Sequence, residues 1–197
     1  MPGPRRGAMP SSGRRLDLSG RYRKTFNESL SNATQVADPF HVIKLANTRL
    51  DDVRRRVQQE TLGHRGHCDD PLYRSRRLLT KGHERLDEKG EAKLLSFLEA
   101  GDPNGEVRMA WHAKETLRGL YDQSAEDAPG YVEELIDSLL DTDMPGELRQ
   151  LGRTLRTWSA QIVAWHRAQV SNGPTEAMNS LIKRVKRVSV NRPSWAG

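Results

Sequence analysis

One stretch constrains this chain more than any other, and it begins after Pro145. Leu148, Leu151, Leu155, Trp158, Ile162 and Trp165 follow one another in strict alternation of three and four. That spacing tracks the turn of an α-helix, so the side chains line one stripe of a long amphipathic segment. Such a stripe is a seam against neighbouring helices, and its two tryptophans read as packing groups rather than nucleobase platforms. A chain that carries it must build a helical core.

The partners for that seam lie upstream. From Pro39 the sequence turns helical and stays so. Ile43, Ala46, Leu50, Val53 and Val57 mark the inner face of a helix that Gly63 terminates. Shorter helices are expected over residues 72–81 and 91–98. Asp102-Pro103 reads as a cap and a first-turn proline, opening a helix through Trp111 to Leu120. Another helix is expected over 131–140, acidic on its outer face, and there are no internal repeats.

Residues 16–38 have a different texture. Leu16-Asp17-Leu18 fits the end of a short buried strand, and Ser19 can cap a helix carrying Tyr22, Phe26 and Leu30. Thr34-Gln35-Val36-Ala37 is a second strand candidate, running into Asp38-Pro39-Phe40-His41. Strand, helix, strand, helix favours parallel strands of an α/β sheet. Two strands are too few for a stable sheet, so only part of one is expected. The fold class is mixed α/β and predominantly α-helical.

Charge and cysteine content narrow the partners. The formal charge of +6, carried mainly by arginine, favours a polyanion such as nucleic acid. The single cysteine, Cys68, excludes an internal disulfide. No apolar run approaches a membrane span or a signal-peptide core, so a soluble, cytoplasmic chain is expected. Residues 1–15, rich in Pro, Gly, Ser and Arg, read as a disordered basic arm, and residues 189–197 as an irregular tail.

Three acids stand out. Asp17 and Asp38 fall at the carboxyl ends of the two strands, where α/β sheets place their ligands. Glu176 falls in the first turn of a helix announced by Asn172-Gly173-Pro174, with Met178, Leu181, Ile182, Val185 and Val188 on its buried stripe. Asn179, Lys183 and Lys186 or Arg187 share the period of Glu176 on an adjoining face. Carboxylates of this kind make a hard-oxygen site for magnesium or manganese. Each residue also has an ordinary reading: Asp38 as a helix cap, Glu176 as a complement to the helix dipole, His41 as a core histidine, the K-R-V-K-R run as a solvated face. His64, His67 and Cys68 share one loop, but no second ligand pair stands at a zinc-site spacing.

Taken together, L-D-L-S-G-R-Y-R, V-A-D-P-F-H-V-I-K-L-A-N and W-H-R-A-Q-V-S-N-G-P-T-E-A-M-N-S-L-I-K-R-V-K-R resemble, in order and spacing, the DDE transposases of bacterial insertion sequences. The branch they resemble is the ISL-three group, over residues 16–188. The resemblance implies a partial RNase H-like fold, with two strands kept, a helical insertion over about residues 63–169, and a glutamate-bearing helix. By that carry-over Asp17 matches the second catalytic aspartate, for which Asp38 is the other candidate. Asp38 and His41 match a D-x-x-H signature, and Glu176 matches the final catalytic glutamate. Asp17 and Glu176 would bind Mg²⁺ or Mn²⁺, and Asn179 and His41 would support the site. Lys183, Arg184, Lys186 and Arg187 would contact DNA phosphates.

The expected function is DNA transposition by metal-dependent cleavage and strand transfer at insertion-sequence ends. The expected partners are double-stranded DNA and another transposase copy, as a homo-oligomer or with an intact enzyme. The family carries a DNA-binding region and three strands ahead of the position of Asp17, the first strand bearing the first catalytic aspartate. The chain is therefore expected to be a piece shortened at both ends and inactive alone. The rival reading is a non-enzymatic helical DNA-binding protein, including a remnant that interferes with an intact transposase.

Overall fold

The computed structural model describes residues 14–16, 35–64 and 66–168. The expected arm up to residue 13, the 19–32 helix, the Glu176 helix and the tail lie outside those residues; Arg14 and Arg15, expected at the end of the disordered arm, are instead in a strand, where their backbone pairs with Gln35 and Val36. Two strands, β1 (Arg14–Leu16) and β2 (Gln35–Ala37), pair in parallel with Leu16 opposite Ala37. Each strand is three residues long, and the rest of the described chain is helix and connecting loop. β1 is described as far as Leu16; Asp17 and Leu18, expected in the same strand, lie outside the described residues.

The first helix, α1 (Pro39–Leu62), has the ends its sequence announces. Asp38 accepts a hydrogen bond from the Phe40 N–H at 2.8 Å, and Pro39, which has no N–H to orphan, takes the first turn. At the other end Gly63 adopts φ 72°, and its N–H bonds to the Gln59 carbonyl at 2.9 Å. Val42, Ala46, Leu50, Val53 and Val57 are buried; Ile43 is only partly covered, so the stripe is shifted slightly from the expected one.

Next come α2 (Pro71–Leu79) and α3 (Glu88–Gly101), which pack on each other. α4 (Glu106–Gly119) follows and lies along α1. This helix does not open at Pro103. Gly105 at φ 71° breaks the backbone first, and the Asp102 carboxylate reaches over the turn to accept from the Arg108 N–H at 2.9 Å. Asp102 therefore caps α4 from four residues before its start.

The last pair is α5 (Ala128–Leu140) and α6 (Gly146–Ala168). Leu148, Leu151, Leu155, Trp158 and Ile162 are buried along α6 as the spacing predicts. Gly152 sits on the same stripe because α5 comes very close there. A Cβ at that position would lie 3.0 Å from Leu139 Cβ. α6 also packs on α1 and on β2, so the long seam ties the helical part to the strand ladder. A single apolar cluster runs from Ala37 to Ile162.

Candidate functional site

The site begins where β2 becomes α1. Asp38 is 2% exposed and has left the strand one residue after its last ladder partner. One carboxylate oxygen, Oδ1, accepts from the Phe40 N–H, which fixes the side chain over the helix N-terminus. There the helix dipole favours negative charge. His41 stands one turn later, its Nδ1 4.0 Å from the same oxygen, and its side chain is 21% exposed. A buried acid and a partly open imidazole are thus presented together by the first turn of α1.

The ladder register bears on Asp17. Leu16 pairs with Ala37, so the chain leaves β1 toward Asp17 at the same edge where it leaves β2 toward Asp38. Asp17 itself lies outside the described residues, as do Glu176, Asn179, Lys183, Arg184, Lys186 and Arg187. Of the predicted site, only Asp38 and His41 have a described geometry.

A residue not expected at the site, Tyr121, feels the charge of Asp38, and two more, Trp165 and His166, pack on Tyr121. Tyr121 follows α4, and Trp165 and His166 come from the last turn of α6. The Tyr121 ring stacks on His166 with centroids 6.0 Å apart and meets Trp165 edge-on at 5.2 Å. His166 is 6% exposed, with Nδ1 3.2 Å from the Gln123 carbonyl oxygen. Burial pushes the Tyr121 hydroxyl well above the ordinary phenol range, and the Asp38 charge adds to that push. Tyr121 Oη, Trp165 Nε1 and His166 Nε2 are buried without a hydrogen-bond partner among the described residues. His166 sits four residues after Ile162 on the apolar stripe, the one signal that could have flagged it from sequence.

The histidine-cysteine loop is a separate matter. The rings of His64 and His67 lie 4.2 Å apart, and the His67 N–H bonds to Asp70 Oδ2 at 2.6 Å. Cys68 is exposed. Among the described residues no group of three or more His, Cys, Asp or Glu side chains is placed to hold a metal ion. No helix among them is long and apolar enough to cross a membrane.

Taken alone, a buried acid that caps a helix, with a histidine one turn on, is an ordinary helix start. A transposase family, the DDE transposases of the ISL-three type, matches the chain from residue 15 to residue 190. The chain belongs to that family. No curated protein and no solved structure matches it significantly.

Proposed function

We propose that this chain supplies most of the catalytic domain of a DNA transposase, with a partial RNase H-like arrangement at the β2–α1 junction. The observation that carries the reading is Asp38: buried, at the edge of a parallel ladder, and fixed over a helix N-terminus beside His41. Asp17 and Glu176 take the role of metal ligands in this reading, and Asp38 and His41 hold the edge on which they meet. A divalent ion such as Mg²⁺ or Mn²⁺ would supply nucleophile activation and leaving-oxygen stabilisation in phosphodiester chemistry. With one oxygen engaged by Phe40, Asp38 is better suited to orienting the site than to wrapping an ion.

The cations Lys183, Arg184, Lys186 and Arg187, seven to eleven residues beyond Glu176, serve as phosphate contacts, with Asn179 between. The substrate is double-stranded DNA, and strand transfer calls for a second transposase copy. No acid precedes Asp17 in the 197 residues. A two-ion site needs a carboxylate between the ions, so these residues unaided should bind DNA and ions without cleaving strands.

The test takes the full chain with linear element-end duplex and Mg²⁺ or Mn²⁺. Manganese binding, followed by its electron paramagnetic resonance signal, should weaken in both Asp17→Ala and Glu176→Ala. Binding unaffected by either change would overturn the assignment of ligands. Strand cleavage that Glu176→Ala abolishes would show instead that these residues build a complete site. Duplex binding with neither metal uptake nor cleavage would favour the non-enzymatic DNA-binding reading.

A further inference from the structure

A wide groove of about 1090 Å³ opens between α1 and α2, and Asp38 is not among its lining residues. Its lining includes Lys44, Arg55, Arg76 and Arg77, together with Asp51 and Asp52. The two acids are already engaged. Asp51 is held by Arg54 at 2.7 Å and by Arg55 at 2.5 Å, and Asp52 by Arg49 at 3.0 Å. Three of the four cations have no such partner: Lys44, Arg76 and Arg77 make no ion pair among the described residues, and Lys44 and Arg77 are exposed. Arg55 keeps 69% of its side chain open despite its bond to Asp51. The groove therefore presents net positive charge with its acids neutralised beneath.

Arg76 is also preset. Its guanidinium lies 3.8 Å over the Tyr73 ring, and its Nη1 donates to the Tyr73 carbonyl at 2.6 Å. A stacked, planar cation loses little freedom when it meets a phosphate, and its remaining N–H groups suit bidentate contact. Along α1, Lys44 stands about 9 Å from Asp38 and Arg55 about 26 Å, at 1.5 Å per residue. The interval between them matches about five base-pair steps of duplex at 3.4 Å each.

We propose that the groove between α1 and α2 seats the phosphodiester backbone of duplex DNA, through Lys44, Arg55, Arg76 and Arg77. This rests on the reading of the chain as a DNA-processing transposase, and it adds a contact surface separate from residues 183–187. Because the groove and the Asp38 edge share α1, a duplex lying in it is aligned by one rigid rod toward the candidate site.

The experiment measures binding of the full chain to a labelled duplex by fluorescence anisotropy between about 50 and 200 mM salt, where counterion release is steep. Lys44→Gln/Arg76→Gln/Arg77→Gln should weaken binding at least about tenfold and flatten the log–log slope by about 0.9 for each phosphate no longer neutralised. Should that variant fold poorly by circular dichroism, Lys44→Gln/Arg77→Gln changes only exposed residues and should flatten the slope by about 1.8. An unchanged slope in the folded variants, with the duplex still bound, overturns the groove and leaves the DNA reading intact. No duplex binding by the unaltered chain overturns both. Polyglutamate competing as well as unlabelled duplex would assign the groove to an acidic protein instead.

Discussion

Lys114 and Asp38 are the two most deeply buried ionisable groups among the described residues, and they are buried for different ends. Lys114, on α4, is 1% exposed and donates to the carbonyls of Leu79 and Lys81, each at 2.6 Å. It also meets Glu115 Oε1 at 2.5 Å. Leu79 is the last residue of α2, where helix carbonyls have no intrahelical donors left, and Lys81 follows two residues on. Lys114 is thus a C-terminal cap delivered from another helix, with its three protons spoken for. Asp38 is equally buried but bonds locally, to the backbone two residues on, and sits at an edge lined by Tyr121 and His41 rather than in the middle of the helices. One buried charge ties two helices together and the other sits where a strand turns into a helix. Burial alone does not mark function; what the group's remaining atoms face does.

The largest expected effect tests the closed half of that contrast. Lys114→Met keeps the volume and removes the charge, leaving two buried carbonyls without their donor. Breaking a buried, hydrogen-bonded charge on one side costs about 3 kcal/mol or more. That should lower the melting temperature by roughly 6–12 °C in a chain of this size. Burial, outweighing Glu115, pulls the Lys114 ammonium below its ordinary range. Within the window between the lowered folded value and the ordinary unfolded one, the unfolded chain holds more protons, so stability rises with pH. Below the window the cost of burying the charge is felt in full, and above it that cost is gone. Denaturant titrations across the alkaline range should show the gap between wild type and variant widening with pH. A flat gap would mean that Lys114 gains as much from its partners as it loses to burial.

A smaller effect belongs to a surface tie that joins α1 to the starts of α4 and α6. Arg56 on α1 bonds Glu106 Oε2 at 2.5 Å and Glu147 Oε1 at 2.7 Å. These glutamates head α4 and α6, where negative charge also suits the helix dipole. The network is only partly buried, so Arg56→Ala should cost about 1 kcal/mol at neutral pH. Burial pushes the Glu147 carboxyl up, but its hydrogen bond to Arg56 and the guanidinium charge together leave it below its ordinary range. A carboxyl depressed in the folded state contributes stability above its unfolded value and loses it as pH falls through the folded one. The difference between wild type and Arg56→Ala should therefore shrink in acid. A difference that persists in acid would point to lost packing of the arginine stem.

Sequence reading reached these features unequally, for physical reasons. The ends of α1 were legible because capping is local: Asp38, Pro39 and Gly63 act on backbone groups a few residues away. The α6 stripe was legible because its period is strong. The start of α4 was misplaced because Asp102-Pro103-Asn104-Gly105 carries cap and turn chemistry at once, and Gly105 decided for the turn. Lys114 left only a faint mark, a lysine in the apolar stripe of Val107, Ala110, Trp111 and Leu117. Its partners lie more than thirty residues upstream, where no local pattern leads. In the candidate site, Asp38 and His41 announced themselves through one helical turn. Tyr121 did not, because only tertiary packing of the α4 end on the α6 end brings it to Asp38.

The smallest effect on stability separates the two buried groups most sharply. Asp38→Ala removes the side-chain acceptor for the Phe40 N–H and should cost about 1 kcal/mol, the usual value of an N-cap. Asp38→Asn keeps an oxygen there, and asparagine caps as well as aspartate, so its cost should stay within about 0.5 kcal/mol. Only the charge is lost. The change should still be visible at Tyr121, whose ionisation Asp38 opposes after burial has done so. Ultraviolet titration at high pH should find the Tyr121 phenol ionising somewhat earlier in Asp38→Asn, yet later than an exposed tyrosine because burial remains. If Asp38 orients the metal site, the same variant should also weaken manganese uptake without loosening the fold. Should Asp38→Asn destabilise the chain as much as Asp38→Ala, the carboxylate charge would itself be holding the junction together. Asp38 would then be a structural charge of the Lys114 kind, and the case for it as part of a functional edge would fall with the contrast.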